Sequence, residues 1–445
     1  MIKTPLRGYQ KEAVEKAKPL NGFLISLEQR VGKTIVALYL VDYRKPDQLF
    51  IICPKSAIPV WERQIKEHLE FDWNCSTTII TFESLLNGKI QFTRLFNKWM
   101  KEKVRSFIIC DEAHRIKNPS SKQARLIRGL GKRANFRLAL TGTSIADGPN
   151  DVWSLFEYMQ PGILGANYTK FKELYCKMGG FKDKKIVGYI NLDKFRKIYH
   201  KYTYRKTLVE AQRSEGVPVT LVHTVKVFYD LSSYTREKYE ELENTLQTVV
   251  KRTRVVATIV LTLTMKLQQL AGGFLIKDIK IPNKRKKKRK VIQVGREKLK
   301  ALQGVLARPE LQKRQVVICF RFLHEIEAVR SLIESKYSYT IISGKTKNSW
   351  KGSVNDDIIL LQIQSGIAID LSTSSNYIFY SWDFSSINWE QSRFRIRSFS
   401  SRQVNYYYLI GRNTVDEYIY EAVVSKRNLS QLICDNYRKR ENENE

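Results

Sequence analysis

Apolar residues along the chain fall into short runs separated by stretches with helical spacing, and the alternation occurs twice. Runs at 23–27, 49–53, 78–81, 107–110 and 137–140 have the length and β-branched content of buried strands. Helical patterns lie between and before them, as with Ala13, Val14 and Ala17 ahead of Pro19, and again at 59–69. A second series begins near Arg296, with runs at 316–320, 340–342, 358–361, 377–380 and 406–410. Such alternation predicts parallel sheets covered by helices, with functional residues at the carboxyl ends of strands. The expected fold class is α/β with two parallel-sheet lobes, 1–215 and 216–445. The first lobe carries an insertion at 168–205, rich in Lys, Tyr and Gly, with a hairpin around Lys184 to Tyr189. The second carries a helical insertion at 230–275, where Tyr239, Leu242, Leu246, Val249 and Val250 repeat at helical spacing behind Ser232 or Ser233 as cap. A basic loop at 277–295 follows it.

Two strand ends carry chemistry. The run 23–27 leads into Glu28-Gln29-Arg30-Val31-Gly32-Lys33-Thr34 and then into Ile35-Val36-Ala37-Leu38, so the motif sits where a strand turns into a helix. That is the setting of a phosphate loop: backbone N–H groups cradle phosphates at the positive end of a helix. Lys33 neutralises the outer ones and the Thr34 hydroxyl binds magnesium. The run 107–110 ends in Asp111-Glu112-Ala113-His114, which places Asp111 to hold the metal through water and Glu112 to orient or deprotonate an attacking water. The plainer alternative is a tight turn at Gly32 and an acidic helix start at Asp111, but the two motifs on two strand ends support each other. One departure stands out: Leu27 occupies the place where the loop pattern has its first glycine.

Charge narrows the partners. Lys and Arg number 77 against 44 acids, a formal net charge of +33, which implies a polyanion, with nucleic acid first and a membrane surface second. Hydrophobic content of 43% with 27% charged residues is that of a globular protein. The apolar stretch 255–267 is broken by Thr258, Thr262, Thr264 and Lys266, so no span is expected, and the start of the chain leads into polar sequence, so a cytoplasmic location is expected. Cys53, Cys110 and Cys319 lie in strand runs, and Cys75, Cys176 and Cys434 show no metal spacing, which argues against a zinc or disulfide framework. The run Lys284-Arg285-Lys286-Lys287-Lys288-Arg289-Lys290 is expected to be a solvated loop that touches phosphates. In the second lobe, Gln391-Ser392-Arg393-Phe394-Arg395-Ile396-Arg397 alternates arginines, read either as a basic surface or as an arginine finger worth about three to five orders of magnitude in rate.

Taken in order, these motifs resemble the superfamily-two helicases and translocases, in particular the Swi/Snf-type branch and its phage-encoded relatives that process branched DNA. The resemblance covers nearly the whole chain and implies two RecA-like lobes with ATP and Mg2+ bound between them. It assigns adenine reading to Gln10, with Arg7 beside it, and phosphate binding to Arg30, Val31, Gly32, Lys33 and Thr34. Cys53-Pro54-Lys55 followed by Trp61-Glu62 matches the motif after the second strand, and Leu140-Thr141-Gly142-Thr143 the motif that couples ATP state to DNA grip. Residues 362–372, with Gly366 and Asp370, match the fifth motif; Gln391 to Arg397 the sixth; and Thr414-Val415-Asp416-Glu417 the closing segment. The implied catalytic set is Lys33, Asp111, Glu112, Gln391, Arg395 and Arg397. The implied nucleic-acid contacts are Pro54, Lys55, Thr81, Thr141, Gly142, Thr143, Arg321, Gln362 and the basic run. Departures are Arg30 and Ala368 in place of glycines, Ser144 in place of a proline, and Ser398 where the sixth motif has its second arginine, which leaves Arg397 to serve. The implied activity is a DNA-dependent ATPase that unwinds or branch-migrates forked DNA as a monomer, with the hairpin near Lys184 as a candidate wedge. A duplex translocase without strand separation, an RNA helicase and a binding module with a dead ATP site stay open as alternatives.

Overall fold

In the computed structural model the run at 23–27 becomes strand β1, Gly22–Leu27, every residue of which is buried. It is followed by β2 Gln48–Cys53, β3 Ser76–Thr81, β4 Ser106–Cys110 and β5 Phe136–Leu140. After these come the antiparallel pair β6 Cys176–Gly179 and β7 Lys185–Tyr189, and then β8 Thr203–Lys206. The structure describes residues 2–69, 75–142, 149–180, 185–251, 257–279, 288–344, 356–364, 369–427, 429, 430, 432 and 433. Among them, six strands make one parallel sheet in the order β3-β2-β4-β5-β1-β8. Strands covered on both faces lack polar alternation, which is why they read as plain apolar runs. Helices α1 Gly8–Ala17, α2 Lys33–Arg44 and α3 Ile58–His68 are the first three that cover it. From β1 the chain passes over the positions of β5 and β4 to reach β2. In open parallel sheets the point where strand order reverses is where ligands bind, outside the carboxyl edge.

The chain divides into two compact units, Met1–Val219 and Thr220–Glu445. The second contains β9 Leu221–Tyr229, the antiparallel pair β10 Phe274–Ile279 and β11 Lys288–Gln293, then β12 Val316–Phe320, β13 Tyr339–Ile342, β14 Ile358–Gln362, β15 Asn376–Phe379 and β16 Gln403–Gly411. Its parallel sheet runs β13-β14-β12-β15-β16-β9, so the unit's first strand pairs along its whole length with its last. The architecture is therefore α/β, with two units each built on a six-stranded parallel sheet. The second core is rich in rings: Phe379 stacks on Tyr408 at 4.6 Å, and Trp382 meets Tyr408 edge-on at 5.6 Å. It also buries an ion pair, Lys298 Nζ to Asp416 Oδ2 at 3.1 Å, with both side chains out of solvent and the Tyr229 hydroxyl donating to the same oxygen at 3.2 Å. Asp416, read from sequence as part of a closing motif, thus ties the helix Val415–Ser425 to Glu297–Leu306. Removing one partner of such a pair strands a buried charge at a cost of about 3–5 kcal/mol.

The basic loop changes, two strands lacked a signal in the sequence, and the expected helix and hairpin are found. Lys288, Arg289 and Lys290, read as part of a solvated loop, begin β11, whose backbone pairs antiparallel with β10 while Lys290, Val291, Ile292 and Gln293 stay exposed. Lys284, Arg285, Lys286 and Lys287 lie outside the described residues. β8 and β9 have no apolar run to announce them: Thr203-Tyr204-Arg205-Lys206 is polar, and β9 interleaves His223, Thr224 and Lys226. Both are last in their sheet order, where one side of the strand is uncovered. The helix at 232–253 is Ser233–Lys251, with the Ser232 hydroxyl accepting from Thr235 N and Tyr239 fully buried; the side chains of Leu246, Val249 and Val250 lie outside the described residues. The hairpin near Lys184 is the β6–β7 pair, Lys184 itself lying outside the described residues.

Candidate nucleotide site

The carboxyl ends of β1, β4 and β5 bring the first-lobe motifs together. Between β1 and α2, Gly32 adopts φ 81° and ψ 45°, a left-handed conformation that glycine takes at no steric cost, and caps α2. A Cβ there would lie 2.4 Å from Gln10 Nε2, so the position is closed to a side chain on both counts. Arg30 also has positive φ, 68°, which gives a backbone reason for the glycine that the resemblance places there. Lys33 opens α2 and its ammonium donates back to the carbonyls of Leu27 at 3.1 Å and Glu28 at 3.3 Å. Thr34 follows as the second residue of the helix.

α1 holds the loop from the other side. The Tyr9 hydroxyl and Gln10 Nε2 both donate to the Val31 carbonyl, at 2.9 and 3.2 Å, and Gln10 Oε1 accepts from Arg7 N at 3.0 Å as part of the helix cap. Gln10 is buried, with its amide engaged at both ends, and one N–H and one lone pair remain for another partner. Glu28 is anchored too: its Oε2 accepts from Leu208 N at 2.6 Å.

The acidic pair is set by its strand and by one indole. Asp111 follows β4; its Oδ2 accepts from Trp61 Nε1 at 2.9 Å and its Oδ1 from Glu112 N at 2.9 Å. Trp61 is buried on α3 and carries no charge, so sequence gave it a place in a motif but no role. Burial and the Glu112 charge push the Asp111 carboxyl up to about 6, while the Trp61 hydrogen bond and Lys33 act the other way. For Glu112, burial acts upward, but the His114 ring 3.2 Å from its carboxylate, with Lys33 and Arg115, brings it below the usual range. Burial lowers the Lys33 ammonium, and Glu112, Asp111 and Glu28 oppose that. One half-buried cation thus stands among three half-buried carboxylates. Gly142, just past β5, completes the set: a Cβ there would lie 2.8 Å from Lys33 Nζ and 2.9 Å from Gln29 Cγ, so any side chain would displace the lysine.

The remaining first-lobe candidates behave differently. Thr81 is buried and caps the helix Phe82–Asn87 by accepting from Ser84 N at 3.0 Å, Thr141 and Pro54 are buried, and Lys55 is exposed. Thr143 and Ser144 lie outside the described residues.

In the second unit, Arg321 follows β12, donates from Nη1 to Gln268 Oε1 at 2.7 Å and stacks over Phe384 at 3.9 Å. Gln362 ends β14 and accepts from Gly344 N at 3.3 Å. Gly366 and Ala368 lie outside the described residues, while Asp370 is exposed and turns the chain by accepting from Ser372 N. Its neighbour Leu371 donates to the Arg395 carbonyl at 3.0 Å, so the fifth and sixth motifs meet. Gln391 and Arg395 are buried. Arg397 Nε donates to the Tyr406 hydroxyl at 3.0 Å, and its guanidinium lies over the rings of Phe394 and Tyr406.

Residues 70–272 match the SNF2-related domain. The matched stretch includes the Asp111-Glu112 end of β4 and the Gly142 turn. Over 95% of its length the chain is 24% identical to an uncharacterized ATP-dependent helicase of Mycoplasma genitalium. Over 96% it is 22% identical to the mouse SWI/SNF-related matrix-associated actin-dependent regulator of chromatin subfamily A member 1. The chain spans 42% and 43% of those two relatives' own lengths. Among solved structures it is similar to the Sulfolobus solfataricus SWI2/SNF2 ATPase core in complex with dsDNA, at 20% identity and a TM-score of 0.43, covering 98% of this chain and 94% of that one.

The residues on the sheet edge suit a magnesium nucleotide. Thr34 and Asp111 offer a hydroxyl and one carboxylate, the sparse oxygen set that Mg2+ accepts when phosphates and water complete its shell. The left-handed Gly32 and the bare backbone of Gly142 form a cradle that a Cβ would fill.

Proposed function

We propose that the chain is the motor core of an ATP-dependent DNA translocase that opens forked or branched DNA. The convergence of Lys33, Asp111, Glu112 and Gly142 on one sheet edge carries this reading. Bound ATP and Mg2+ supply the scissile phosphoanhydride and its charge neutralisation. Lys33 would bind the outer phosphates, the Gly32 turn would present backbone N–H groups to them, and the metal would be held by the Thr34 hydroxyl and, through water, by the Asp111 carboxylate. Glu112, held ionised by its cationic neighbours, orients the attacking water and takes its proton. Arg7 and Gln10 face the adenine, with Gln10 also holding the loop through Val31. Gln391 and Arg395 of the second unit stabilise charge on the transferring phosphoryl group, and Arg397 takes the place of the second arginine; Gly366 and Asp370 contact nucleotide.

DNA is the partner that a net charge of +33 favours. Its backbone is gripped by Pro54, Lys55, Thr81, Thr141, Gly142 and Thr143, by Arg321 and Gln362, and by the basic run from Lys284 to Lys290. Contacts to phosphates make binding salt-dependent and nearly sequence-independent. The β6–β7 hairpin is the wedge.

The test is ATP hydrolysis with no polynucleotide, single-stranded, duplex, forked or four-way DNA, and RNA, beside Lys33→Ala. DNA-stimulated hydrolysis that Lys33→Ala abolishes is expected. Salt-sensitive DNA binding without stimulated hydrolysis would make the chain a binding module. Deleting 183–189 should abolish fork unwinding and spare stimulated hydrolysis; unwinding by the deletion variant rejects the wedge, and stimulated hydrolysis without unwinding in the wild type leaves a duplex translocase.

A further inference from the structure

The phosphate loop is held by a part of the chain far from it in sequence. After β8 the chain runs through Lys206 and Thr207 into the helix Leu208–Ser214, reaches Glu215, and leaves the first unit at Val219. Lys206 reaches α1 through an ion pair with Glu12 at 3.9 Å, and hydrogen bonds fasten this exit segment to the loop and to α1. Glu28 N donates to the Lys206 carbonyl at 3.0 Å, extending the β1–β8 pairing by one bond. Glu28 Oε2 accepts from Leu208 N at 2.6 Å. Leu208 is the first residue of its helix, so its N–H has no partner within the helix, and the carboxylate sits at the positive helix end. At the far end of the helix, Glu215 Oε1 accepts from Tyr9 N at 3.3 Å, and a Cβ on Gly8 would come within 3.0 Å of that oxygen.

Tyr9 closes a circuit. Its backbone is tied to Glu215 and its hydroxyl to the Val31 carbonyl, in the middle of the loop, while Val31 N donates to Glu28 O at 3.3 Å. The path runs Glu28, Leu208, the exit helix, Glu215, Tyr9, Val31 and back to Glu28. A shift of the loop by an ångström cannot be absorbed by one hydrogen bond, because the same helix is held at both ends. Thr207 and Glu210 stiffen it further with a reciprocal cap, Glu210 N to Thr207 Oγ1 at 3.2 Å and Thr207 N to Glu210 Oε2 at 2.7 Å.

We infer that Glu28 and Glu215 are positioning residues that transmit nucleotide occupancy of the phosphate loop to the segment 206–217 through which the chain leaves the first unit. The inference rests on the ATPase reading. It adds to that reading a route from the nucleotide to the connection between the units, made of side chains that contact no phosphate.

The test combines nucleotide affinity with amide hydrogen exchange. In the full chain, binding of a non-hydrolysable ATP analogue should slow exchange of amides at 208–215 by roughly fivefold, the worth of one hydrogen bond. Glu215→Ala should bind the analogue within about twofold of wild type yet lose most of that protection. Glu215→Gln should keep it, because an amide oxygen still accepts from Tyr9 N. DNA stimulation of hydrolysis should fall in Glu215→Ala while the rate without DNA stays put. Analogue binding with no change at 208–215 in wild type overturns the inference and leaves the ATPase reading standing. So does full protection in Glu215→Ala. Absence of analogue binding in folded wild-type protein overturns both.

Discussion

Replacing Trp61 with phenylalanine should change how the ATPase responds to pH more than how fast it runs at its best. The indole N–H donates to Asp111 Oδ2 at 2.9 Å, and that bond is one of two that favour the ionised carboxylate in a site where burial and Glu112 push it up to about 6. A hydrogen bond to a charged group contributes about 1.5–3 kcal/mol, and 1.36 kcal/mol moves a titration midpoint by one pH unit. Taking the lower figure, because Glu112 N still donates to Oδ1, the acid limb should move from about pH 6 to roughly pH 7. The ionised fraction of Asp111 then falls about fivefold at pH 6, about twofold at pH 7 and by only about a tenth at pH 8. The assay is kcat/KM for DNA-stimulated hydrolysis from pH 5.5 to 9 at fixed, subsaturating magnesium, because kcat/KM reports the free enzyme. Loss of part of the buried ring also costs packing, but that lowers the whole profile without moving its midpoint. A Trp61→Phe profile that is lower everywhere with an unmoved acid limb, in a variant that melts as wild type does, would refute the role assigned to the indole.

Gly142→Ala places a methyl 2.8 Å from Lys33 Nζ, so the lysine must shift; the expected result is an ATP KM raised roughly tenfold with a melting temperature close to wild type. Arg30→Gly relieves a left-handed backbone at φ 68°, which costs a non-glycine residue about 1–2 kcal/mol; part of that is offset by the entropy glycine adds to the unfolded chain, and a melting temperature higher by about 1–3 °C is expected. Asp111→Asn should abolish hydrolysis and yet stabilise the metal-free protein. The folded carboxyl titrates above its unfolded value of 3.8, so wild type loses stability as pH rises from about 4 to about 6. The variant's advantage should therefore be absent at pH 4 and reach about 1–3 kcal/mol above pH 6, as read from chemical denaturation. A gain of equal size at pH 4 would show that charge is not its source.

The interior strands were legible because a parallel strand buried on both faces must be apolar throughout, and the motif residues were legible because they sit where such runs stop. Less visible was anything that depends on a partner distant in sequence. Trp61 looks like any core aromatic until Asp111 is found against it, and Glu28 looks like a solvated loop acid until Leu208 N is found at its carboxylate. Arg30 was visible as a departure, but only the backbone shows that the cost lies in φ. The basic run misled because its charge repels at short range, whereas an exposed strand needs only a neighbour whose backbone it can pair with. β8 and β9 escaped because the last strand in a sheet order is covered on fewer sides than its neighbours.

The pairing of β9 with β16 has a consequence for synthesis. Tyr229 finds its partner only at Gly411, so when the chain emerges from a ribosome its second sheet has an opening strand with nothing to join. At about 5–20 residues per second the wait is roughly 10–40 s. Throughout it, Leu221, Val222, Val225, Val227 and Phe228 form a stretch of high strand propensity with open backbone on both sides, the kind of template on which chains aggregate. His223 and Lys226 interrupt that stretch, and in the finished sheet both stay at least partly exposed. In the finished fold the Lys226 ammonium also lies 4.6 Å from the Tyr420 ring, and replacing Lys226 with a valine should be felt as lost yield of soluble protein.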